Sequence, residues 1–166
     1  MLREYVLTSQ LIKTLQEGGI TKIIRSRRGK NIEMRREVGN NSFIADILIS
    51  SFPQKMVQND FNTKQTKFIA IEVKISDWKQ GLYQAWRYCS FAEKSYLALY
   101  KDYAKNADIS LFKKHNVGLI VFDENTIKVL HHPTSNNFSS NKVYEVNLRE
   151  KIWRRSLSIQ SIQPAI

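Results

Sequence analysis

Three charged residues lie within two short apolar stretches of the chain and could act together on one substrate. Asp46 interrupts the apolar run 44–48, and Glu72 and Lys74 stand towards the end of the run 68–75. In an extended strand, residues two positions apart point to the same face, so Glu72 and Lys74 would stand side by side. A charge in apolar surroundings is costly unless it is paired or binds a metal. The pattern therefore indicates a functional site more than a solvated strand face.

Two carboxylates beside a lysine suit the hydrolysis of a phosphodiester. Magnesium takes oxygen ligands and is usually held by one or two carboxylates together with phosphate oxygens of a substrate. Mg²⁺, or Mn²⁺ in its place, would polarise the phosphoryl oxygen and lower the pKa of a bound water. Lys74 would stabilise the developing negative charge or position that water. The backbone carbonyl of Val73, between Glu72 and Lys74, is a further candidate ligand.

The composition predicts a folded and strongly basic protein of one domain. The 166 residues are 42% apolar, enough to bury a core without disulfides, and the single cysteine excludes an internal disulfide. Lys and Arg number 26 against 15 Asp and Glu, and the resulting net charge of +11 favours a polyanionic partner, most commonly nucleic acid. No apolar run approaches a membrane span and the N-terminus lacks a signal-peptide core, so we expect a cytoplasmic protein without a membrane partner.

Hydrophobic periodicity and turn residues predict alternating helices and strands. The predicted helices are 2–17, 76–92, 102–115 and 148–157. The predicted strands are 20–26, 31–38, 43–50, 68–75, 94–100, 117–122, 126–131 and a short one near 142–146. The polar segment 51–67 is predicted to be a long hairpin-type connection. This order predicts an α/β fold in which a mixed central sheet carries helices on both faces, with the Asp46 and Glu72 strands as antiparallel neighbours.

The dipeptide Ala45-Asp46 and the triplet Glu72-Val73-Lys74 resemble the motif of the PD-(D/E)xK nuclease superfamily. The resemblance implies a restriction-endonuclease-like core over about residues 2–122, within one nuclease-like domain that spans 1–166 and ends in an extension from about 123. It also implies that Asp46 and Glu72 bind the metal and that Lys74 is the catalytic lysine.

A second element supports this resemblance. Gln84 and Tyr88, four residues apart on one face of a predicted helix, match the QxxxY element of RecB-like nucleases. The resemblance implies that these two side chains support the site and contact the DNA backbone.

The chain departs from the family pattern at two places. Ala45 stands where the family usually has proline. The family often has a further acidic residue in its first helix, and Gln10 is the position that aligns best. The alternatives are Glu4 and Glu17 on the first helix and Glu33 and Glu37 on the second strand. Because the choice among them stays open, the number of bound metal ions stays open too.

Basic residues on the first two predicted strands and in the turn between them are the candidates for phosphate contacts. They are Arg25, Arg27, Arg28, Lys30, Arg35 and Arg36. Three C-terminal basic residues, Lys151, Arg154 and Arg155, are a weaker candidate that would equally suit an ordinary surface helix.

The expected function is that of a magnesium-dependent DNA endonuclease. Cutting both strands of a duplex takes two sites, so one site per chain implies a homodimer. The alternative is a non-catalytic nucleic-acid-binding module on the same fold.

Overall fold

The part of the chain that the structure describes folds around one mixed β-sheet with five α-helices packed on it. A computed structural model describes residues 3–57 and 59–162. The helices are α1 (Glu4–Gln16), α2 (Trp78–Arg87), α3 (Lys101–Ala104), α4 (Ile109–Lys114) and α5 (Val143–Leu157). The strands are β1 (Lys30–Gly39), β2 (Ile44–Pro53), β3 (Lys67–Lys74), β4 (Lys94–Tyr100), β5 (Gly118–Phe122) and β6 (Ile127–His131). Two short 3₁₀ helices are Gly19–Lys22 and Tyr88–Ser90.

The six strands lie in the sheet in the order in which they occur in the chain. β1, β2 and β3 form an antiparallel meander, β4 and β5 run parallel to β3, and β6 returns antiparallel to β5. α2 occupies the crossover from β3 to β4, and α3 and α4 occupy the crossover from β4 to β5. The predicted α/β class is confirmed, as is the antiparallel pairing of the Asp46 and Glu72 strands.

Helices cover both faces of the sheet, as predicted. On one face, Leu7 and Leu11 of α1 pack in a core that includes Ile71 of β3. Ala70, the residue before Ile71, points to the other face, where it packs in a core with Trp153 of α5. α2 and α4 cover the same second face over β4 and β5. Within the described residues, no helix is long and apolar enough to cross a membrane.

Two predicted strands are wrong. Residues 20–26 contain the 3₁₀ helix Gly19–Lys22, because Ile20 and Ile23, three positions apart, are both buried in the α1 core. The strand near 142–146 is instead the start of α5. Val143 and Tyr144 favour strands, but they are 70% and 79% exposed and so do not form the buried face that a strand of the sheet would need.

Several boundaries also differ from the prediction. The helix expected at 102–115 is two short helices, because Asp108 caps a new helix by accepting a hydrogen bond from the Ser110 amide. β2 continues to Pro53, and α2 ends at Arg87 before a 3₁₀ turn. The predicted first-helix start at residue 2 lies outside the described residues.

A buried ion pair holds α5 on the sheet. The Arg149 side chain is fully buried and donates hydrogen bonds to the carboxylate of Glu93. It also donates to the carbonyl oxygens of Phe91 and Thr66 and to the hydroxyl of Thr63. This network satisfies a guanidinium that would otherwise be costly to bury.

We predict that Arg149→Met destabilises the protein strongly, because Glu93 would be left as a buried charge without its cation. Breaking such a pair from one side typically costs about 3–5 kcal/mol. Arg154→Met is the matched control, since Arg154 is exposed and pairs with Glu150 at the surface, where an ion pair contributes at most about 1 kcal/mol. Urea unfolding of the three proteins measures both effects. Equal losses in the two variants would contradict this account of how α5 is held.

Candidate active site

Asp46 lies at the point where β2 and β3 part. The two strands pair from Ser51↔Lys67 as far as Ile47↔Ile71, where the ladder ends. Beyond it, Asp46 Oδ2 accepts a hydrogen bond from the Val73 backbone amide at 2.7 Å. The Asp46 side chain thus takes the place of a backbone carbonyl of β2 as the hydrogen-bond acceptor of the Val73 amide. The carboxylate is thereby fixed against β3 beside Glu72.

The regular alternation of side chains breaks at this same point. Ile47 packs in the α1 core, whereas Ala45, two positions earlier, packs in the core under α5. On β1, the ladder pairs Arg36 with Ile47 and Val38 with Ala45, and Glu37 lies between these two pairs. Glu37 has a φ of 52°, a left-handed conformation that costs free energy for a residue with a side chain. Such strain is concentrated at functional sites, and here it occurs at a carboxylate whose charge acts on Asp46.

Glu72 is almost fully buried and has polar partners for both carboxylate oxygens. Its Oε2 lies 2.5 Å from the Tyr88 hydroxyl, and its Oε1 lies 3.5 Å from Lys74 Nζ. The Tyr88 hydroxyl also lies 2.6 Å from the carbonyl oxygen of Ile44. A phenol carries a single hydrogen, so it can donate to only one of these oxygens at a time. When Glu72 is protonated, its own hydrogen can complete the second bond.

Burial holds the pKa values of both carboxylates above the usual range. Burial, followed by repulsion from Asp46, raises the pKa of Glu72 to about 7. Burial also raises the pKa of Asp46, with smaller contributions from the charges of Glu4 and Glu37, although the Val73 amide and Lys74 act in the opposite direction. When both carboxylates are ionised, Lys74 therefore balances only part of their negative charge. A bound cation would remove this imbalance.

Lys74 links the carboxylates to α1 and α2. Its Nζ lies 3.5 Å from Glu72 and 3.6 Å from Glu4, near the start of α1. The chain of Lys74 passes Gly81 of α2 so closely that a Cβ built there would lie 2.8 Å from Lys74 Cγ. As the strand pattern predicted, Glu72 and Lys74 share a face, while Ile71 belongs to the core on the other face.

Two of the candidates for a further acidic group interact with the site, and the others do not. Glu4 and Glu37 both act electrostatically on Asp46, and Glu4 forms an ion pair with Lys74. Gln10 and Glu17 form no hydrogen bond or ion pair with Asp46, Glu72 or Lys74 among the described residues. Glu17 ends α1 and is 13 residues from Glu4, or about 20 Å along the helix axis. Glu33 is buried beside Arg35, on the strand but away from this site.

The QxxxY residues take different positions. Tyr88 binds Glu72 directly, as described above. Gln84, one helical turn earlier, is half-buried, and its Oε1 has no hydrogen-bond partner among the described residues. Because buried amide oxygens are normally satisfied, this atom is available to a ligand or an ordered water.

Arg87 is a positioning residue that the sequence did not reveal. Its guanidinium donates a hydrogen bond to the carbonyl oxygen of Ser42 at 2.8 Å and lies 5.4 Å from the centre of the Phe43 ring. Phe43 in turn stacks on Phe91 at 5.5 Å. These contacts attach the β1–β2 turn to α2, so the strand that carries Asp46 and the residue that binds Glu72 are held in one unit.

The predicted phosphate-binding residues do not form one surface at this site. Arg25, Arg28 and Lys30 are exposed before or at the start of β1. Glu37 lies seven residues beyond Lys30, a distance of about 23 Å along an extended strand. These three cations are therefore remote from the carboxylates.

Two of the other three members of the predicted cluster are engaged within the protein. Arg35 is buried, pairs with Glu33 and donates to the carbonyl oxygen of Ile159. Arg36 lies 4.2 Å from the centre of the Tyr5 ring and donates to the Ser9 hydroxyl. Arg27 is half-buried, with two side-chain nitrogens that have no partner among the described residues.

The donor set fits a magnesium or manganese ion that also contacts its substrate. Across residues 3–57 and 59–162, no group of three or more His, Cys, Asp or Glu has the arrangement of a metal site. Magnesium usually takes only one or two protein carboxylates and completes its shell with water and phosphate oxygens. The Asp46–Glu72 pair, with both pKa values raised by burial, is a donor set of that kind.

Comparison with known proteins adds a fold relationship. No protein-family model matches the chain, and no curated protein matches it. A solved structure of a protein of unknown function from Silicibacter pomeroyi is similar to it, with a TM-score of 0.50 and 13% sequence identity. The match covers 87% of this chain and 84% of that one. At this level of identity, the likeness concerns the fold alone.

Proposed function

We propose that this protein is a metal-dependent DNA endonuclease with a restriction-endonuclease-like core. The observation that carries the proposal is the meeting of Asp46, Glu72 and Lys74 in a half-buried to buried cluster from two neighbouring strands. Charges kept in such surroundings cost stability, and their retention favours a catalytic role. The mixed sheet with helices on both faces agrees with the core that the motif implies.

The roles of the side chains follow from their contacts. Asp46, Glu72 and the carbonyl of Val73 would hold Mg²⁺ or Mn²⁺, which supplies Lewis-acid activation of the phosphate and of a bound water. Lys74 is positioned to donate a hydrogen bond to the developing negative charge or to orient the attacking water. Tyr88 fixes the carboxylate of Glu72 while the reaction proceeds.

The local charge supports the same proposal. In a protein of net charge +11, the charges of Glu4 and Glu37 act on Asp46, and Lys74 pairs with both Glu72 and Glu4. A local negative cluster of this kind attracts a cation, whereas the basic remainder attracts DNA. We propose that the protein forms a homodimer, which would bring two such sites to one duplex. Its proposed location is the cytoplasm.

We predict metal-dependent cutting that requires both Asp46 and Lys74. Supercoiled plasmid, linear duplex, single-stranded DNA and a four-way junction would be incubated with Mg²⁺, Mn²⁺ or EDTA. Lys74→Ala should lower the cutting rate about 100-fold or more, since one donor to the developing charge typically contributes that much. Asp46→Ala should abolish cutting. Lys128→Ala, which removes an exposed lysine on β6, is the control and should cut like the parent.

Two outcomes would contradict the proposal. If the parent binds these DNAs but cuts none of them with either metal, the chain is a nucleic-acid-binding module. If Lys74→Ala cuts as fast as the parent, the site lies elsewhere.

We also predict that Glu72 makes the metal-free protein less stable as the pH rises. Its pKa is about 7 in the folded protein against an ordinary value of 4.5, so its stabilising contribution is present below that ordinary value and is lost as the pH rises through about 7. Glu72→Gln should therefore gain up to about 3 kcal/mol over the parent between about pH 4.5 and pH 8. Excess Mg²⁺ at the higher pH should stabilise the parent and leave the variant unchanged.

Urea unfolding of the two proteins at both pH values, with Mg²⁺ or EDTA, measures this effect without any assay of activity. Tyr5→Phe is a control that alters an exposed hydroxyl and should follow the parent at every pH. The same pH dependence in parent and Glu72→Gln would show that Glu72 is not held in an under-neutralised state.

A further inference from the structure

A cleft of about 660 Å³ opens between the β1–β2 turn and α5. Glu37 and Ile44 are among the residues that line it. The charge of Glu37 acts on Asp46, and the carbonyl of Ile44 binds the Tyr88 hydroxyl that also contacts Glu72. The cleft therefore shares its lining with residues that surround the candidate active site.

The α5 wall of the cleft carries four polar or aromatic side chains at helical spacing. Tyr144, Asn147, Lys151 and Arg155 all line it, and the intervals of three, four and four residues place them along one face of the helix. None of these side chains forms a hydrogen bond or an ion pair among the described residues. Arg154, next to Arg155 in sequence, instead pairs with Glu150 outside the cleft.

These side chains are not needed to hold α5 in place. The helix is fixed through its other face, where Arg149, Ile152 and Trp153 are buried. The stripe consequently presents two cations, one amide and one aromatic ring to solvent without a structural partner. Lys151 and Arg155 lie about 6 Å apart along the helix axis, a spacing that suits neighbouring phosphates of one nucleic-acid strand.

The opposite wall is a turn held in a defined shape. Asn40 Oδ1 accepts hydrogen bonds from the amides of Ser42 and Phe43. Arg87 binds the carbonyl of Ser42 from the side of α2. Asn41, at the tip of this turn, is exposed and free to contact a ligand.

We propose that this cleft binds the DNA strand that enters the active site, with Lys151 and Arg155 contacting its phosphates. The inference rests on the proposed function, and it assigns the substrate path to α5. Charge supports it, because phosphates are the natural ligands of two unpaired cations that line one cleft. Tyr144 and Asn41, one on each wall, are placed to contact sugars or bases.

The test is the salt dependence of DNA binding in EDTA, where no cutting occurs. Fluorescence anisotropy with a labelled duplex would compare the parent with the double variant K151Q/R155Q. Each lost phosphate contact should reduce the log–log salt slope by about 0.9, so the variant should lose about 1.8. The control K113Q/K114Q removes the same charge from exposed positions on α4 and should keep the parent's slope to within one contact.

Further measurements separate this inference from the proposed function. Both substituted side chains are exposed, so K151Q/R155Q should unfold within about 0.5 kcal/mol of the parent. A parent that cuts DNA while K151Q/R155Q keeps the full slope would overturn the cleft and leave the nuclease standing. A parent that never cuts, with the slope reduced in K151Q/R155Q alone, would overturn the nuclease and support the cleft as a binding site.

Discussion

The hydrogen bond from the Val73 amide to Asp46 is the interaction on which the arrangement of the site depends. It forms where the β2–β3 ladder ends, so it holds together two strands that no longer pair through their backbones. Asp46 is thereby kept beside Glu72, whose carboxylate contacts Tyr88 in the 3₁₀ turn after α2. Loss of this bond would let the strands part, which would weaken both the burial and the repulsion from Asp46 that raise the pKa of Glu72.

The protein buries carboxylates in two contrasting ways. Burial raises the pKa of Glu93 as well, but Arg149 opposes this shift and gives its remaining donors to backbone carbonyls and the Thr63 hydroxyl, so this carboxylate has its own cation. Asp46 and Glu72 share one lysine, and that lysine also pairs with Glu4. The first arrangement holds a helix on the sheet, whereas the second leaves a negative imbalance that a divalent cation can correct.

The strands around Asp46 and Glu72 could be predicted because their apolar alternation is local and strong. The shared face of Glu72 and Lys74 followed from the same two-residue period. The contacts of Glu4 and Glu37 could not be predicted, since they depend on how a distant helix lies and on the strand register. The basic residues between 25 and 36 are close in sequence, but the extended strand carries them apart and buries Arg35. The sequence predicted a strand for the first part of α5 and a helix for the rest, because Val143 and Tyr144 favour strands although they are exposed in the structure.

If Asp46 and Glu72 hold a divalent cation, as we propose, the ion binds beside the Val73 amide. Mn²⁺ broadens the NMR signals of nearby amides, so ¹⁵N spectra can be recorded as the ion is added to the parent and to Asp46→Asn. The Val73 signal should be lost first in the parent, at less than one ion per chain, while the Arg149 signal persists, and this selectivity should disappear in the variant. Broadening that starts elsewhere, or that is the same in Asp46→Asn, would show that the two carboxylates do not hold the ion.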